Sequence, residues 1–361
     1  MARLANPGLA LLSALVALLA IEGALRLLRP SALAPEIQAL VYEPDDDLGY
    51  RYRPNASARV ARGFEIDTVV HVNGLGFHDV ARSLPATGGP RVIALGDAFT
   101  SAKHVPVAQG WTQALEAALR AAGHAGAQVW NLGLDGTGTD VHVALLERWV
   151  DRVRPDLVVL AFSADDVQDI AERRTFREDY RGYVLAYLDP AQRDALRAFV
   201  DANAPGTASR LLWTHVWTSR AFARLSPAAA LRRTNYVTPT RVGLPAGLAR
   251  PDAPPLEAFV GRLHAMAARH RFALIVAPVP PKRHPRGSAR RLARGLEPGV
   301  LATLDVVDVQ PAMAADVAQR GTSWETLYWR RDDHFDADGY ALFGRLLAPE
   351  IARRLPAPTA G

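Results

Sequence analysis

Four short segments of this 361-residue chain carry side chains suited to acid–base or metal chemistry. They are Gly96-Asp97-Ala98-Phe99-Thr100, Asn131-Leu132-Gly133-Leu134-Asp135-Gly136-Thr137-Gly138, Ala164-Asp165-Asp166 and Asp332-Asp333-His334-Phe335. An aspartate two residues before a histidine can accept a hydrogen bond from one ring nitrogen and leave the other free as a general base. Asp97, Asp165 and Asp332 are also candidates for activating water or, with His334, for holding a hard or borderline metal, although no spacing specifies one. Taken singly, each segment has a commoner reading. A Gly-Asp pair after a strand is frequent, and an isolated Asp-x-His is more often a surface turn. Their order along the chain is far more specific than any one of them.

The elements that must position these segments alternate. Short apolar runs predict strands at 92–95, 129–132, 157–162, 272–277 and 306–309, with another strand-like run at 68–72. Trp111, Leu115 and Leu119 share one face of a helix expected over 106–121, and Val141, Leu145 and Trp149 do the same over 138–153. Further helices are expected at 256–270 and at 337–354, the last interrupted by Pro349. Strands alternating with helices imply an α/β domain with a parallel, doubly wound sheet, and the uninterrupted apolar strand 157–162 implies cover on both faces. The first three chemical segments each directly follow a strand, and the fourth precedes the closing helix.

Three regions surround this pattern. Residues 1–30 include an uncharged run at 7–21 and predict a signal anchor, a single transmembrane helix. Pro35 directly after Ala32-Leu33-Ala34 disfavours cleavage there. Residues 31–90 read as an irregular segment packing on the domain, with turns at Pro44, Pro54-Asn55 and Asn73-Gly74. The domain proper spans 91–355. Within it, 170–255 breaks the rhythm as an insertion, with helices around 190–202 and 208–225, over the sheet edge where ligands of such folds bind. Trp213 and Trp217 on its second helix read as packing residues.

Composition removes several classes. With 49% hydrophobic residues and a net charge of +5, the chain is not disordered, and one long apolar segment excludes a polytopic membrane protein. The absence of cysteine excludes disulfides, cysteine-ligated zinc and a catalytic thiol. Among 42 basic residues only Lys103 and Lys282 are lysines, and the arginines are interleaved with acids, so no nucleic-acid surface is expected. His104, His142, His264 and His284 have no partner at diagnostic spacing and read as surface or packing residues. Asp97 is expected to bond nearby backbone and fix its turn.

In order and spacing the four segments, together with LGYRYRPNAS, HVNGLGF and PDLVVLAFSADD, resemble the SGNH, or GDSL, hydrolase superfamily over roughly residues 45–350. An N-terminal anchor ahead of them is similar to its single-span bacterial branch. The resemblance implies a three-layer, flavodoxin-like α/β fold with no cofactor. It makes His334 the general base, Asp332 its orienting carboxylate, Gly136 a backbone oxyanion donor, Ala98 the nucleophile position and Asp165 the position of an oxyanion-hole asparagine. Two of these depart from the family pattern. Alanine has no oxygen to attack with, and an ionised Asp165 would face an oxyanion with like charge. Thr100 and Ser101 are the nearby hydroxyls, neither well placed to substitute. The expected protein is therefore anchored in the bacterial inner membrane with its domain in the periplasm. It binds an acylated or carbohydrate envelope ligand, or serves with envelope protein partners, without ordinary serine-esterase activity. The alternative is an active esterase or acyltransferase on acyl or acetyl esters, using a substitute nucleophile or activated water.

Overall fold

Alternate side chains of the central strands belong to opposite faces, and that period of two is what builds the layers. The computed structural model describes residues 41–171 except 46, 63, 64, 86 and 87, two short strands at 174–176 and 184–186, residues 253–357, and scattered positions between 8 and 20. Most of the expected anchor and of the 170–255 insertion, with both its helices and Trp213 and Trp217, lie outside the described residues. Among the described residues, no helix is long and apolar enough to cross a membrane. Leu11, Leu12, Leu15, Val16 and Leu19 of the N-terminal stretch are exposed.

The chain opens with two antiparallel hairpins, β1 (Tyr42–Asp45) with β2 (Gly49–Tyr52) and β3 (Ser57–Arg62) with β4 (Ile66–His71). The segment expected to be irregular thus contains four short strands between Tyr42 and His71, with turns and bends after them, and its buried face joins the domain core through Tyr42, Tyr50, Tyr52, Ile66 and Val70. Next come β5 (Arg91–Gly96), the single-turn helix α1 (Ala98–Ser101), α2 (Trp111–Ala121) and β6 (Gln128–Gly133). They are followed by α3 (Thr139–Val153), β7 (Leu157–Phe162) and α4 (Asp166–Ala171). Strands β8 (Arg174–Phe176) and β9 (Val184–Ala186) pair with each other, and then come α5 (Leu256–His270), β10 (Ala273–Pro278), three shorter helices at Gly287–Arg294, Pro298–Leu301 and Gln310–Gln319, and the closing helix α6 (Ala337–Ala352).

Strands β10, β7, β5 and β6 lie in that order, all parallel. On one face Ile93, Leu95, Trp130 and Leu160 pack with Leu146 of α3 and Leu263 of α5. On the other, Val92, Ala94, Val129 and Val159 pack with Leu115 of α2 and Phe343 of α6. This is the expected three-layer α/β sandwich. Because the chain runs from β5 outward to β6 and then back across to β7, the strand order reverses at the C-terminal end of β5. Reversals of this kind leave a crevice between loops that diverge to opposite faces.

Three expected elements differ. The strand predicted at 306–309 is reduced to a single bridge between Val306 and Val276, and the chain turns into a helix at Gln310. Pro349 lies inside α6 without ending it. The helix from 106 is also shorter at its start, with a 3-10 turn at Val107–Gln109 and the α-helix beginning at Trp111.

Candidate functional site

The turn between β5 and α1 is approached by the second and third strand-end loops and by the C-terminal histidine, which contact Ser101, Asp97 and Phe99 respectively. Asp97 caps the turn, its Oδ1 accepting from Phe99 N at 2.9 Å, which is the backbone role expected of it. Ala98 is the first residue of α1. Gly133 at the end of β6 lies so close to α1 that an added Cβ would stand 2.2 Å from Ser101 N. This requires glycine and locks the second loop against the first. Gly136, the expected oxyanion donor, sits in that second loop with φ +62°, a left-handed conformation that glycine adopts without strain. The third loop arrives through Asp165 and Asp166, each of which offers a carboxylate oxygen within 4.8 Å of one from Asp97.

His334 reaches the first loop from the other side. Its ring lies 4.8 Å from the Phe99 ring and is stacked on His104 with centroids 4.0 Å apart. His334 Nδ1 is 2.5 Å from Asp332 Oδ1, and the same oxygen accepts from His334 N at 3.0 Å. Asp332 is buried. Its carboxylate fixes the ring orientation and leaves Nε2 as the nitrogen available for proton transfer. The loop itself is pinned by Lys282, whose Nζ donates to the carbonyls of Trp329, Arg330 and Asp332 at 2.5, 2.9 and 3.2 Å. One ammonium carries three donors, and all three are used.

The two hydroxyls considered as substitute nucleophiles face inward. Thr100 and Ser101 are both fully buried. Thr100 Oγ1 is 3.5 Å from the Leu95 carbonyl, and Ser101 Oγ donates to Asp135 Oδ1 at 2.7 Å. A hydroxyl committed to a buried carboxylate inside the protein cannot reach a substrate in the crevice.

Asp135 is the hub of a polar cluster. Its Oδ2 accepts from Tyr52 OH at 2.6 Å and from Tyr42 OH, and Lys103 Nζ stands 3.3 Å away. Tyr50 OH donates to its backbone carbonyl. Burial alone would raise this carboxyl. The Lys103 charge and the Tyr42 and Tyr52 hydroxyls outweigh burial and hold it below the usual aspartate range. The first hairpin is therefore bolted to the second loop of the site through hydroxyl-to-carboxylate bonds.

The opposite flank lacks such compensation. Asp97 and Asp166 are buried, whereas Asp165 is exposed. Ser163 Oγ donates to Asp165 Oδ1 at 2.5 Å, and Thr139 Oγ1 is 3.3 Å from Asp166 Oδ2. Burial, then the Asp165 charge, pushes Asp97 well up. Burial, then the charges of Asp97 and Asp165, does the same to Asp166. Behind them His142 is fully buried and pushed down to about 3 by that burial, so its ring stays neutral at physiological pH.

No protein-family model matches the chain, and no curated protein sequence matches it. Solved structures do. A lipase/acylhydrolase from Enterococcus faecalis is 18% identical, covering 75% of this chain and 100% of that one, with a TM-score of 0.37. A protein assigned to the G-D-S-L lipolytic family from Desulfitobacterium hafniense is 14% identical over 73% of this chain and 99% of its own, with a TM-score of 0.35. An acetyl xylan esterase is 12% identical over 72% and 99%, also at 0.37.

Several residues of the site escaped the sequence reading. His104 was expected at the surface or in packing; it stacks on His334. The sequence assigns no role at the site to His142, Lys103, Lys282 or Tyr42, and it places Asp135, Tyr50 and Tyr52 inside the quoted motifs without a role. One signal pointed to two of them: Lys103 and Lys282 are the only lysines in an arginine-rich chain, and both place a compact ammonium at the site, on Asp135 and on the 329–332 carbonyls. His264 is bonded to Thr303, and His284 is exposed.

Proposed function

We propose that this is a membrane-anchored SGNH-type protein of the bacterial inner membrane, its domain in the periplasm. It binds an acylated or carbohydrate ligand of the envelope, alone or as a subunit of an envelope assembly, and does not turn over esters through a serine nucleophile. The observation that carries this reading is the pairing of a complete Asp332–His334 dyad with Ala98. An oriented imidazole faces a turn whose first helical residue has no hydroxyl, and the two hydroxyls that follow are buried and engaged. A base without a nucleophile can still donate to or accept from a ligand carbonyl or hydroxyl, so the crevice keeps recognition chemistry after losing acyl transfer.

A fluorophosphonate probe tests this. The wild-type chain stays unlabelled, because phosphonylation requires an activated hydroxyl. Ala98→Ser becomes labelled, and the label is lost again when His334→Ala is added. Labelling of the wild type, or p-nitrophenyl acetate turnover by it that disappears in His334→Ala, would overturn the reading in favour of an active esterase.

A further inference from the structure

We infer that Asp97, Asp165 and Asp166 form a binding site for a hard divalent cation of the magnesium, manganese or calcium class, beside position 98. One oxygen from each carboxylate lies within 4.8 Å of the others. A cation held at about 2.0–2.6 Å from each ligand needs oxygen–oxygen separations of that size, and an all-oxygen donor set selects hard cations.

A second observation, outside the carboxylates, points to the same place. His142 is fully buried, its Nδ1 has no hydrogen-bond partner, and that nitrogen lies 3.8 Å from Asp166 Oδ2, too far for a bond. Asp166 Oδ1, also buried, is likewise without a partner. A buried polar atom without a hydrogen-bond partner keeps an uncompensated desolvation cost, and two of them side by side at the carboxylates leave room for a bound ion to offset it. Among the described residues no lysine or arginine pairs with any of the three carboxylates. By contrast, Asp135 on the other flank has its own ammonium. A divalent ion supplies the missing positive charge, with exposed Asp165 as its door to solvent.

The two departures from the hydrolase pattern fall together here. Asp165 supplies the third carboxylate where an asparagine would be neutral, and Ala98 leaves the adjoining turn without a side-chain hydroxyl. A competing donor set, His104, Asp332 and His334, is also clustered. Its two rings are stacked at 4.0 Å and 24°, so their in-plane lone pairs run side by side and do not converge, and His334 Nδ1 is already engaged by Asp332. The inference deepens the proposed function by naming an inorganic component of the same crevice, and it rests on that reading only for where the crevice lies.

The test is Mn2+ titration of the full-length, detergent-purified chain after EDTA treatment and dialysis, following loss of the free-ion EPR signal, with Mg2+ and Ca2+ as competitors. Expected is one Mn2+ per chain. Asp165→Asn, exposed and therefore tolerated by the fold, weakens binding by about tenfold or more, while His334→Ala leaves it within about twofold. Absence of saturable binding up to about 1 mM, undiminished binding in Asp165→Asn, or loss of binding in His334→Ala would each overturn the inference. Because no ester is involved, failure here leaves the fluorophosphonate result standing, and the reverse.

Discussion

Asp135 and Asp166 are both buried carboxylates beyond strand ends, one bonded to Ser101 and the other beside Asp97, yet their surroundings move them in opposite directions. Around Asp135 stand Lys103 and the hydroxyls of Tyr42, Tyr52 and Ser101. Around Asp166 stand Asp97, Asp165 and a neutral, buried His142. Burial raises both, and only at Asp135 do charge and hydrogen bonds win. Burial of an acid thus says little until its partners are known. One side of the crevice is a finished structural joint, and the other gathers three carboxyl groups with no cationic side chain paired to them among the described residues.

The largest effect expected from breaking this comparison is at the joint. Asp135→Ala strands Lys103 in the interior and removes the acceptor for three side-chain hydroxyls, so unfolding free energy should fall by about 3–5 kcal/mol in urea denaturation. A loss below about 1 kcal/mol would mean that the hairpin is not held by this cluster.

The pH dependence sharpens the same point. Because the folded pKa of Asp135 lies below the usual 3.8, its contribution is present above that value and drains away as pH falls below it. The wild type should therefore lose stability below about pH 4, and Asp135→Asn should flatten that acid limb.

Next in size is Lys282→Met, which removes three charge-assisted bonds to the Asp332–His334 loop at about 1.5–3 kcal/mol in all. It should also broaden the His334 ring resonances by NMR while leaving those of the Asp135 cluster unchanged. The smallest effect belongs to the charged flank. In chelator at neutral pH, Asp165→Asn relieves like-charge repulsion on Asp97 and Asp166 and should raise stability by no more than about 1 kcal/mol, since Asp165 is exposed. A clear destabilisation in chelator would show that the three acids are not in conflict.

Much of the scaffold was legible because its signals are local. The apolar run 157–162 became the central strand β7 without a change of boundary, and the Trp111/Leu115/Leu119 spacing became the buried face of α2. Less legible was the 306–309 run, where strand propensity yields a single bridge at the sheet edge. A lone edge partner supplies too few ladder bonds to hold a strand open against the helix that follows. Pro349 misled for a related reason, since packing of Leu347, Ala348 and Ile351 into the core carries α6 past it.

At the site, Asp332 and His334 could be paired from sequence because only Asp333 lies between them and the family resemblance gives the pair its roles. Ser101 with Asp135, His104 with His334, and Lys282 with the 329–332 carbonyls join positions 34 to 230 residues apart, and nothing in local pattern encodes such distances.

What the sequence alone determined is the alternation of strands and helices, the absence of a hydroxyl at position 98 and the carboxylate at 165, because these depend on residue identity and on periods of two and 3.6. Tertiary structure alone decided which acids are neutralised and which are left in conflict. A carboxylate's state depends on what the fold brings within a few ångströms of it, and those neighbours come from strands and loops remote in the chain.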